Sequence, residues 1–520
     1  MKQITRLTLK NFKRFVTFEV DLDETLNLFI GDNECGKSSL LTAIDLALSG
    51  SRHKVEAAGL ENLFNSETIA TFLASGRKYE ELPVMQVELF LNDFEAEELN
   101  GKNNSFGKPA NGLKLICAPN DELGKPIKEI LAQESPNFPF EYYSISFKTF
   151  ADQPYTGYRK FLKHILVDNA LTSSEYAMKE YIKDIYHTSI ESAIEKFTHQ
   201  HKYRAHKETF KNDVLLTLNS RMGEYSFGIR SGIKDNLESD LTILEGNISI
   251  ENKGKGKQVF VKTELALKKG EGDLEIILME EPENHLSHTK TNLLVSKIRG
   301  AVNRQIFIAT HSTLISTRLD LRKTILLNAG NCLPMLLKDL PESTAKFFMK
   351  APDNNMLEFV LATKVILVEG DAEYMLMNAM YKKQTGNNLQ DDGVHVISVD
   401  GTSFKRYLDI ALIAEIKTAV IRDNDGDYQA NCLENYKDYS KDHIAVFSDD
   451  NNANTTFEKC FYQVNTTICD ELFKEGRRTL TVQEYMLKNK ADAAFAVLEH
   501  KAEELIVPDY ITKAIQWIKR

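Results

Sequence analysis

Apolar and polar positions along this chain alternate between short hydrophobic runs and one long stretch of helical periodicity. Near the N-terminus, Leu7-Thr8-Leu9-Lys10-Asn11-Phe12-Lys13-Arg14-Phe15 reads as a strand, and Leu26-Asn27-Leu28-Phe29-Ile30 as a buried parallel strand. Two similar runs follow far downstream, Leu274-Glu275-Ile276-Ile277-Leu278-Met279 and Gln305-Ile306-Phe307-Ile308-Ala309-Thr310. Between Ser173 and Phe197 the pattern changes: Tyr181, Ile182, Ile185, Tyr186, Ile190, Ile194 and Phe197 recur at helical spacings, with Lys and Glu on the other face. This stripe predicts a helical hairpin that packs internally or pairs with a second copy. After Met349, Lys350-Ala351-Pro352-Asp353-Asn354-Asn355 reads as a linker. Beyond it, β-type runs at 364–368, 394–399, 418–421 and 444–447 alternate with helical ones, which predicts a parallel sheet with helices on both faces.

Composition narrows the class. A chain of 520 residues, 42% hydrophobic and 27% charged, is expected to form several soluble domains. It holds no apolar run of the roughly 18 residues that a membrane span needs, and Met1-Lys2-Gln3-Ile4-Thr5-Arg6 lacks a secretory core, so a cytoplasmic protein with no membrane partner is expected. Cys35, Cys117, Cys332, Cys432, Cys460 and Cys469 show no C-x-x-C or zinc spacing, which points to reduced thiols. A net charge of −11 excludes a uniformly basic surface but not a local basic groove or a carboxylate-lined metal site facing nucleic acid. The run His199-Gln200-His201-Lys202-Tyr203-Arg204-Ala205-His206-Lys207 reads first as a solvated helix face, with nucleic-acid contact as the alternative.

Chemistry enters directly after the run at 26–30. Gly31-Asp32-Asn33-Glu34-Cys35-Gly36-Lys37-Ser38 is a G-x-x-x-x-G-K-[ST] loop opening a helical stretch from Ser39. Gly31 and Gly36 let backbone N–H groups close on a phosphate, Lys37 reaches the β- and γ-phosphates, and Ser38 is placed for Mg²⁺. Asn33 and Ser39 complete the residues assigned to ATP. The run at 274–279 ends in Glu280-Glu281-Pro282-Glu283, from which Glu280 is assigned to the metal and Glu281 to general base. The run at 305–310 delivers His311, placed to contact the γ-phosphate. A compact nucleotide site needs far less chain than separates the loop from these acids, so a long segment is inserted between them.

The later runs also end in acids: Glu369-Gly370-Asp371-Ala372-Glu373 after the first, Asp400-Gly401-Thr402 after the second, Arg422-Asp423-Asn424-Asp425-Gly426-Asp427 after the third. Sites in parallel sheets lie at the strands' carboxyl ends, so Glu369, Asp423 and Asp425 are expected to converge on Mg²⁺ or Mn²⁺, a donor set suited to two-metal phosphodiester cleavage. A calcium loop starting at Asp423 would place Glu434 at its twelfth position, but the apolar strand before it argues against paired helices.

The order of phosphate loop, insertion, apolar-Glu-Glu-Pro-Glu and Ala-Thr-His-Ser resembles the chromosome-maintenance and DNA-repair branch of the ATP-binding-cassette class, as does the opening strand. That resemblance implies that Lys13 and Arg14 lie near the nucleotide and that a second head supplies a glycine-rich signature loop. Here the candidate is Lys253-Gly254-Lys255-Gly256-Lys257-Gln258, with Gly254 and Gly256 at the nucleotide and Lys253 where a serine is usual. The runs Val365-Ile366-Leu367-Val368-Glu369-Gly370 and Ile421-Arg422-Asp423-Asn424-Asp425 resemble a Toprim domain, and the whole chain resembles the OLD (overcoming lysogenization defect) family of ATPase-nucleases. Glu369 and Glu373 match its E-G-x-x-E, and Asp423 and Asp425 its D-x-D. Glu458 matches its later metal-binding acid, and Lys490, with Lys488 as the rival, its late lysine. The expected fold is α/β: an ABC/SMC-like ATPase domain at 1–350 with a helical, dimerising insertion at 158–222, then a Rossmann-like Toprim domain at 358–520. The implied function is an ATP-regulated, metal-dependent DNA endonuclease in antiphage defence. It would act as a homodimer or homotetramer, with a helicase-like protein or a retron reverse transcriptase and its DNA as possible partners. The alternatives are a DNA-clamping scaffold ATPase with an inactive Toprim domain and an effector that cuts RNA or tRNA.

Overall fold

The computed structural model describes residues 2–134, 136–157, 161–168, 175–190, 192–230, 232, 236–268, 274–301, 303–327, 333–350, 355–399, 404–475 and 479–520. The chain forms two compact units, Met1–Leu319 with Lys323–Pro334, and Asp320–Arg322 with Met335–Arg520.

The first unit is built on two sheets. One is antiparallel, with Phe15–Asp21, Ile4–Phe12, Met85–Leu91, Ala110–Pro119 and Tyr143–Thr149 in order. In the other, parallel strands run in the order Thr324–Leu327, Leu26–Gly31, Gln305–Thr310, Ile276–Glu280 and His164–Asp168. Helix Lys37–Ser49 touches strands of both sheets. It is therefore apolar nearly all round, burying Leu40, Leu41, Ala43, Ile44, Leu46, Ala47 and Leu48. Its one buried acid, Asp45, meets Lys54 Nζ at 2.7 Å and His164 Nε2 at 3.1 Å. Burial opposes the charge, yet these two partners hold its carboxyl well below the usual range.

The segment expected to be a helical insertion at 158–222 is not helical throughout, since His164–Asp168 is a strand of the central sheet. The apolar stripe, read as a hairpin, lies on two successive helices, Glu175–Ser189 and Ala193–Asp213, the second capped by Ser192 accepting from the Glu195 N–H. Ile182 packs inward with Met178, Ile250 and Val261, and the buried Tyr181 donates its hydroxyl to the Lys262 carbonyl at 2.6 Å, while Ile194 and Phe197 remain exposed. The described part of the basic run, 199–207, lies on the second helix, with His201, Lys202, Arg204 and His206 exposed.

The second unit is a parallel sheet ordered Val394–Ser398, Lys364–Val368, Lys417–Ile421, Ile444–Phe447. Leu376, Met377 and Met380 of helix Asp371–Thr385 share a core with Val497 of Lys490–Lys501 and Ile511 and Ala514 of Asp509–Lys519. Helix Phe404–Ala414 packs against Lys417–Ile421 and brings Tyr407 edge-on to Phe348 at 5.2 Å and Phe359 at 5.1 Å. Phe348 lies on helix Glu342–Lys350, so that helix belongs to the second unit although composition drew the boundary at 350. Most of the linker reading, 351–354, lies outside the described residues, as do Asp400, Gly401 and Thr402. No helix among the described residues is long and apolar enough to cross a membrane.

Trp517, the only tryptophan, sits 6.0 Å from the Phe447 ring and so reports unfolding of the second unit. Phe348→Ala removes a fully buried aromatic at a cost of about 3–5 kcal/mol. The urea midpoint of Trp517 fluorescence is expected to fall accordingly. A midpoint equal to wild type would detach helix Glu342–Lys350 from this core.

Candidate functional site

In the first unit the phosphate loop connects the largely apolar strand Leu26–Gly31 to the helix that begins at Lys37. Gly36 caps that helix in the left-handed region, φ 102°, and a Cβ there would lie 2.5 Å from the Phe15 ring and 2.9 Å from Arg14 Cδ. Arg14 thus lies against the loop. Lys37 Nζ donates to the carbonyls of Gly31 at 2.7 Å and Asp32 at 2.8 Å. Asn33 is exposed on the loop's outer side and Ser39 is half-buried in the first helical turn.

The parallel register brings the acids to the same sheet end. The Ser38 hydroxyl bonds the Glu280 carboxylate, whose pKa is raised by burial and by the neighbouring Asp168 and Glu281, with Lys13 opposing. Lys13, in turn, has its pKa lowered by burial, against the pull of Glu280. Glu281 adopts φ 43° and receives His311 Nδ1 at 2.8 Å. Glu283 joins them: its carboxylate accepts from Thr310 Oγ1, and ligand atoms of Glu281, Glu283 and His311 lie within 4.8 Å of one another. Burial and the Glu281 charge push the Glu283 carboxyl up to about 8. Ser38, Glu280, Glu281, His311, Lys13 and Arg14 are therefore drawn to the phosphate loop and the adjoining strand ends. Hydroxyl and carboxylate oxygens beside a lysine-bearing loop fit Mg²⁺ and a polyphosphate.

Gly254 and Gly256 lie elsewhere, at the start of helix Lys255–Lys268. A Cβ on Gly256 would meet the His285 carbonyl at 2.2 Å, so this glycine is required by packing whether or not nucleotide is near. Gly254 has open space around it, and Lys253 is ion-paired with Glu245.

In the second unit, Glu369 follows strand Lys364–Val368 and Asp423 follows the adjacent Lys417–Ile421. Their strand pairing brings the Asp423 N–H to Glu369 Oε2 at 3.3 Å. Asp423 Oδ1 accepts from the Phe457 N–H at 2.7 Å, at the start of helix Phe457–Val464. That helix carries Glu458, which is 2% exposed and ion-paired to Lys490 Nζ at 3.0 Å. Lys490, and not Lys488, makes this pair. It begins a helix lying along Asp371–Thr385, the helix that bears Glu373.

Burial comes first here, and like-charged neighbours add to it. Burial, then Asp423 and Glu458, push the Glu373 carboxyl up to about 8, against Lys490. Burial, then Glu369 and Glu458, push Asp423 up to about 7, although Lys490 and the Phe457 hydrogen bond pull the other way. Burial also raises Glu369. For Lys490 burial works against the charge, but Glu458, Asp423 and Glu373 hold its pKa above the ordinary value. An oxygen-only set with more negative charge than its one lysine balances fits hard divalent cations. Asp425 differs from the other acids: it is mostly exposed and paired to Arg422 Nη2 at 2.9 Å.

Asp168, Glu283 and Arg422 were not singled out in the sequence. Asp168 ends strand His164–Asp168, opposite Glu280 in register, and an apolar run closing on an acid was the available signal. Glu283 stood in plain view within Glu-Glu-Pro-Glu, and Arg422 directly precedes the D-x-D.

Comparison with known proteins shows two matching family models. Residues 1–315 match the AAA ATPase domain, and residues 360–425 match the overcoming lysogenization defect protein-like TOPRIM domain. Among solved structures, the C-terminal region of the Burkholderia pseudomallei OLD protein is 20% identical, covering 30% of this chain and 97% of its own, with a TM-score of 0.23. The corresponding Xanthomonas campestris pv. campestris region is also 20% identical, covering 30% and 94%, with a TM-score of 0.23. The Smc head domain derived from Pyrococcus furiosus is 13% identical over 65% of this chain and 98% of its own, with a TM-score of 0.34. No curated protein matches the chain.

The raised carboxyls make metal-free stability depend on pH with a definite sign. Glu373 ordinarily titrates near 4.5, and in the fold near about 8, so its contribution is full below the lower value and is lost as pH rises through the upper one. In chelator, Glu373→Gln is therefore expected to gain thermal stability relative to wild type from about pH 6 to about pH 9, and Mg²⁺ or Mn²⁺ to stabilise wild type most at the alkaline end. Melting curves across that range check this. A difference between variant and wild type that is independent of pH would sink the assignment.

Proposed function

This chain is an OLD-family protein, an AAA ATPase domain joined to an OLD-like Toprim domain, and on that premise we propose that it is an ATP-regulated, divalent-metal-dependent DNA endonuclease. The observation that carries the proposal is the meeting of Glu369, Glu373, Asp423, Glu458 and Lys490 at the carboxyl ends of two parallel strands, with burial first and neighbouring carboxylates second raising the pKa values of Glu369, Glu373 and Asp423.

In this reading Glu369, Glu373, Asp423 and Glu458 hold Mg²⁺ or Mn²⁺, with Asp425 as a further ligand. Bound there, the ions supply Lewis acidity toward the phosphodiester and the attacking water. Lys490 holds a fixed positive charge beside the acids and neutralises charge on the scissile phosphate. Glu458 keeps that ammonium in place. In the first unit Lys37 and the loop N–H groups bind the ATP phosphates, Ser38 and Glu280 hold Mg²⁺, and Glu281, oriented by His311, accepts the proton of the hydrolytic water. The role in antiphage defence is the one that the OLD resemblance implies. A helicase-like protein or a retron reverse transcriptase with its DNA is the matching partner class.

The test is nicking of supercoiled plasmid, with RNA as a parallel substrate, in Mg²⁺, Mn²⁺ or chelator. Asp423→Asn keeps an acceptor for the Phe457 N–H while removing the charge, and is expected to lose at least about a hundredfold in cleavage. Its ATP hydrolysis is expected to persist. Glu281→Gln is expected to show the reverse, binding ATP but hydrolysing it slowly, whereas Lys37→Ala does not bind it. Undiminished nicking by Asp423→Asn would place the cutting site elsewhere, and cleavage of RNA alone would change the substrate class.

We also propose a homodimer or homotetramer, supported by the exposed Ile194 and Phe197 and by a signature loop that the ATP-binding-cassette resemblance assigns to a second head. Light scattering at micromolar concentration is expected to give at least twice the 59.1 kDa chain mass. A monomer mass with and without ATP would overturn this.

A further inference from the structure

Arg422 directly precedes Asp423 and interacts with both Glu369 and Asp425 of the acidic cluster. Its guanidinium is fastened on three sides: Nε donates to the Asp423 carbonyl at 2.9 Å, Nη1 to the Tyr436 hydroxyl at 3.2 Å, and Nη2 to Asp425 Oδ2 at 2.9 Å. The Tyr436 ring lies beneath it at 5.6 Å. The Arg422 side chain is 12% exposed and that of Asp425 is 56% exposed. The arginine is therefore the fixed member of the pair and Asp425 the member free to leave.

The turn is shaped to present Asp425 to it. Asp425 and Gly426 both lie at positive φ, 52° and 86°, and the turn is pinned by the Gly426 N–H on Asn424 Oδ1 at 2.9 Å and by Asn424 Nδ2 on the Asp449 and Asn451 carbonyls. Glu369 interacts electrostatically with both Arg422 and Asp425. A cation arriving at Asp425 must therefore take one of its oxygens from the Arg422 guanidinium and sit close to that fixed positive charge.

We propose that Arg422 is a positioning residue that makes the metal site unequal, keeping Asp425 occupied so that a first divalent ion binds tightly on the buried acids and a second binds weakly. This deepens the nuclease reading and rests on it. A guanidinium on the second ligand keeps a solitary enzyme from assembling the full two-ion site at ordinary ion concentrations. Substrate phosphate, which brings negative charge to the same place, offsets the repulsion.

The test is Mn²⁺ binding to the full chain without DNA, followed by electron paramagnetic resonance and calorimetry, so that no catalytic step is involved. Wild type is expected to show one tight and one weak ion per chain. Arg422→Gln, which keeps hydrogen-bonding capacity but loses the charge, is expected to tighten the weak ion about tenfold, whereas Arg422→Lys stays within about twofold of wild type. Asp425→Asn is expected to abolish the weak site and to make Arg422→Gln silent when the two are combined. A variant damaged merely in its packing would not bind an ion more tightly. An unchanged or weakened second ion in Arg422→Gln, or equal tightening in Arg422→Lys, would overturn the inference. Mn²⁺ binding indifferent to Asp423→Asn would instead overturn the metal-site reading itself, and this inference with it.

Discussion

Negative charge held out of water at the carboxyl ends of parallel strands is the constraint around which both units are arranged. In the first unit Glu280, Glu281 and Glu283 crowd one sheet end, and in the second Glu369, Glu373, Asp423 and Glu458 crowd another. For Glu280, Glu283, Glu373 and Asp423 burial favours the neutral form, and neighbouring carboxylates add to the pressure. The structure keeps them in place with a few compensating contacts: Ser38 on Glu280, His311 on Glu281, Thr310 on Glu283, Lys490 on Glu458, and the Phe457 N–H on Asp423. These contacts are too few to neutralise the clusters, which is what suits them to cations.

What was legible in the sequence was whatever depends on neighbours in the chain. The phosphate loop, the apolar runs and the acids that end them are local patterns, and Leu26–Gly31, Gln305–Thr310, Lys364–Val368 and Ile444–Phe447 are strands where those patterns indicated. What escaped was set by distant contacts. Asp168 matters because its strand lies beside Ile276–Glu280, an adjacency that no local pattern discloses. The stripe from Tyr181 to Phe197 discloses spacing but not which surface receives each half: Tyr181 and Ile182 are buried, Ile194 and Phe197 exposed. Helix Glu342–Lys350 joins the second unit through Phe348 on Tyr407, a contact that the Pro- and Asn-bearing segment after it does not disclose.

Glycines showed a similar limit. Gly254 and Gly256 look equivalent as letters in a loop, but only Gly256 is held by its surroundings, against the His285 carbonyl. A nearby buried amine, Lys262, is 2% exposed, lies 5.5 Å from the Tyr181 ring and feels the charge of Asp168. It ties helix Lys255–Lys268 electrostatically to the strand end beside Glu280, so the loop at 253–258 is continuous with a helix that senses the acidic edge of the sheet.

The hydrogen bond from the Phe457 N–H to Asp423 has an evolutionary consequence. Under the proposed nuclease reading, a carboxylate that also starts a helix is under two kinds of selection, one for chemistry and one for folding, and the second persists after the first has lapsed. Lineages that abandon this chemistry will therefore erode first at Asp425, whose side chain faces solvent and supports no helix. Asp423 will be among the last acids to change, and an intact aspartate there in a diverged homologue records architecture before it records activity.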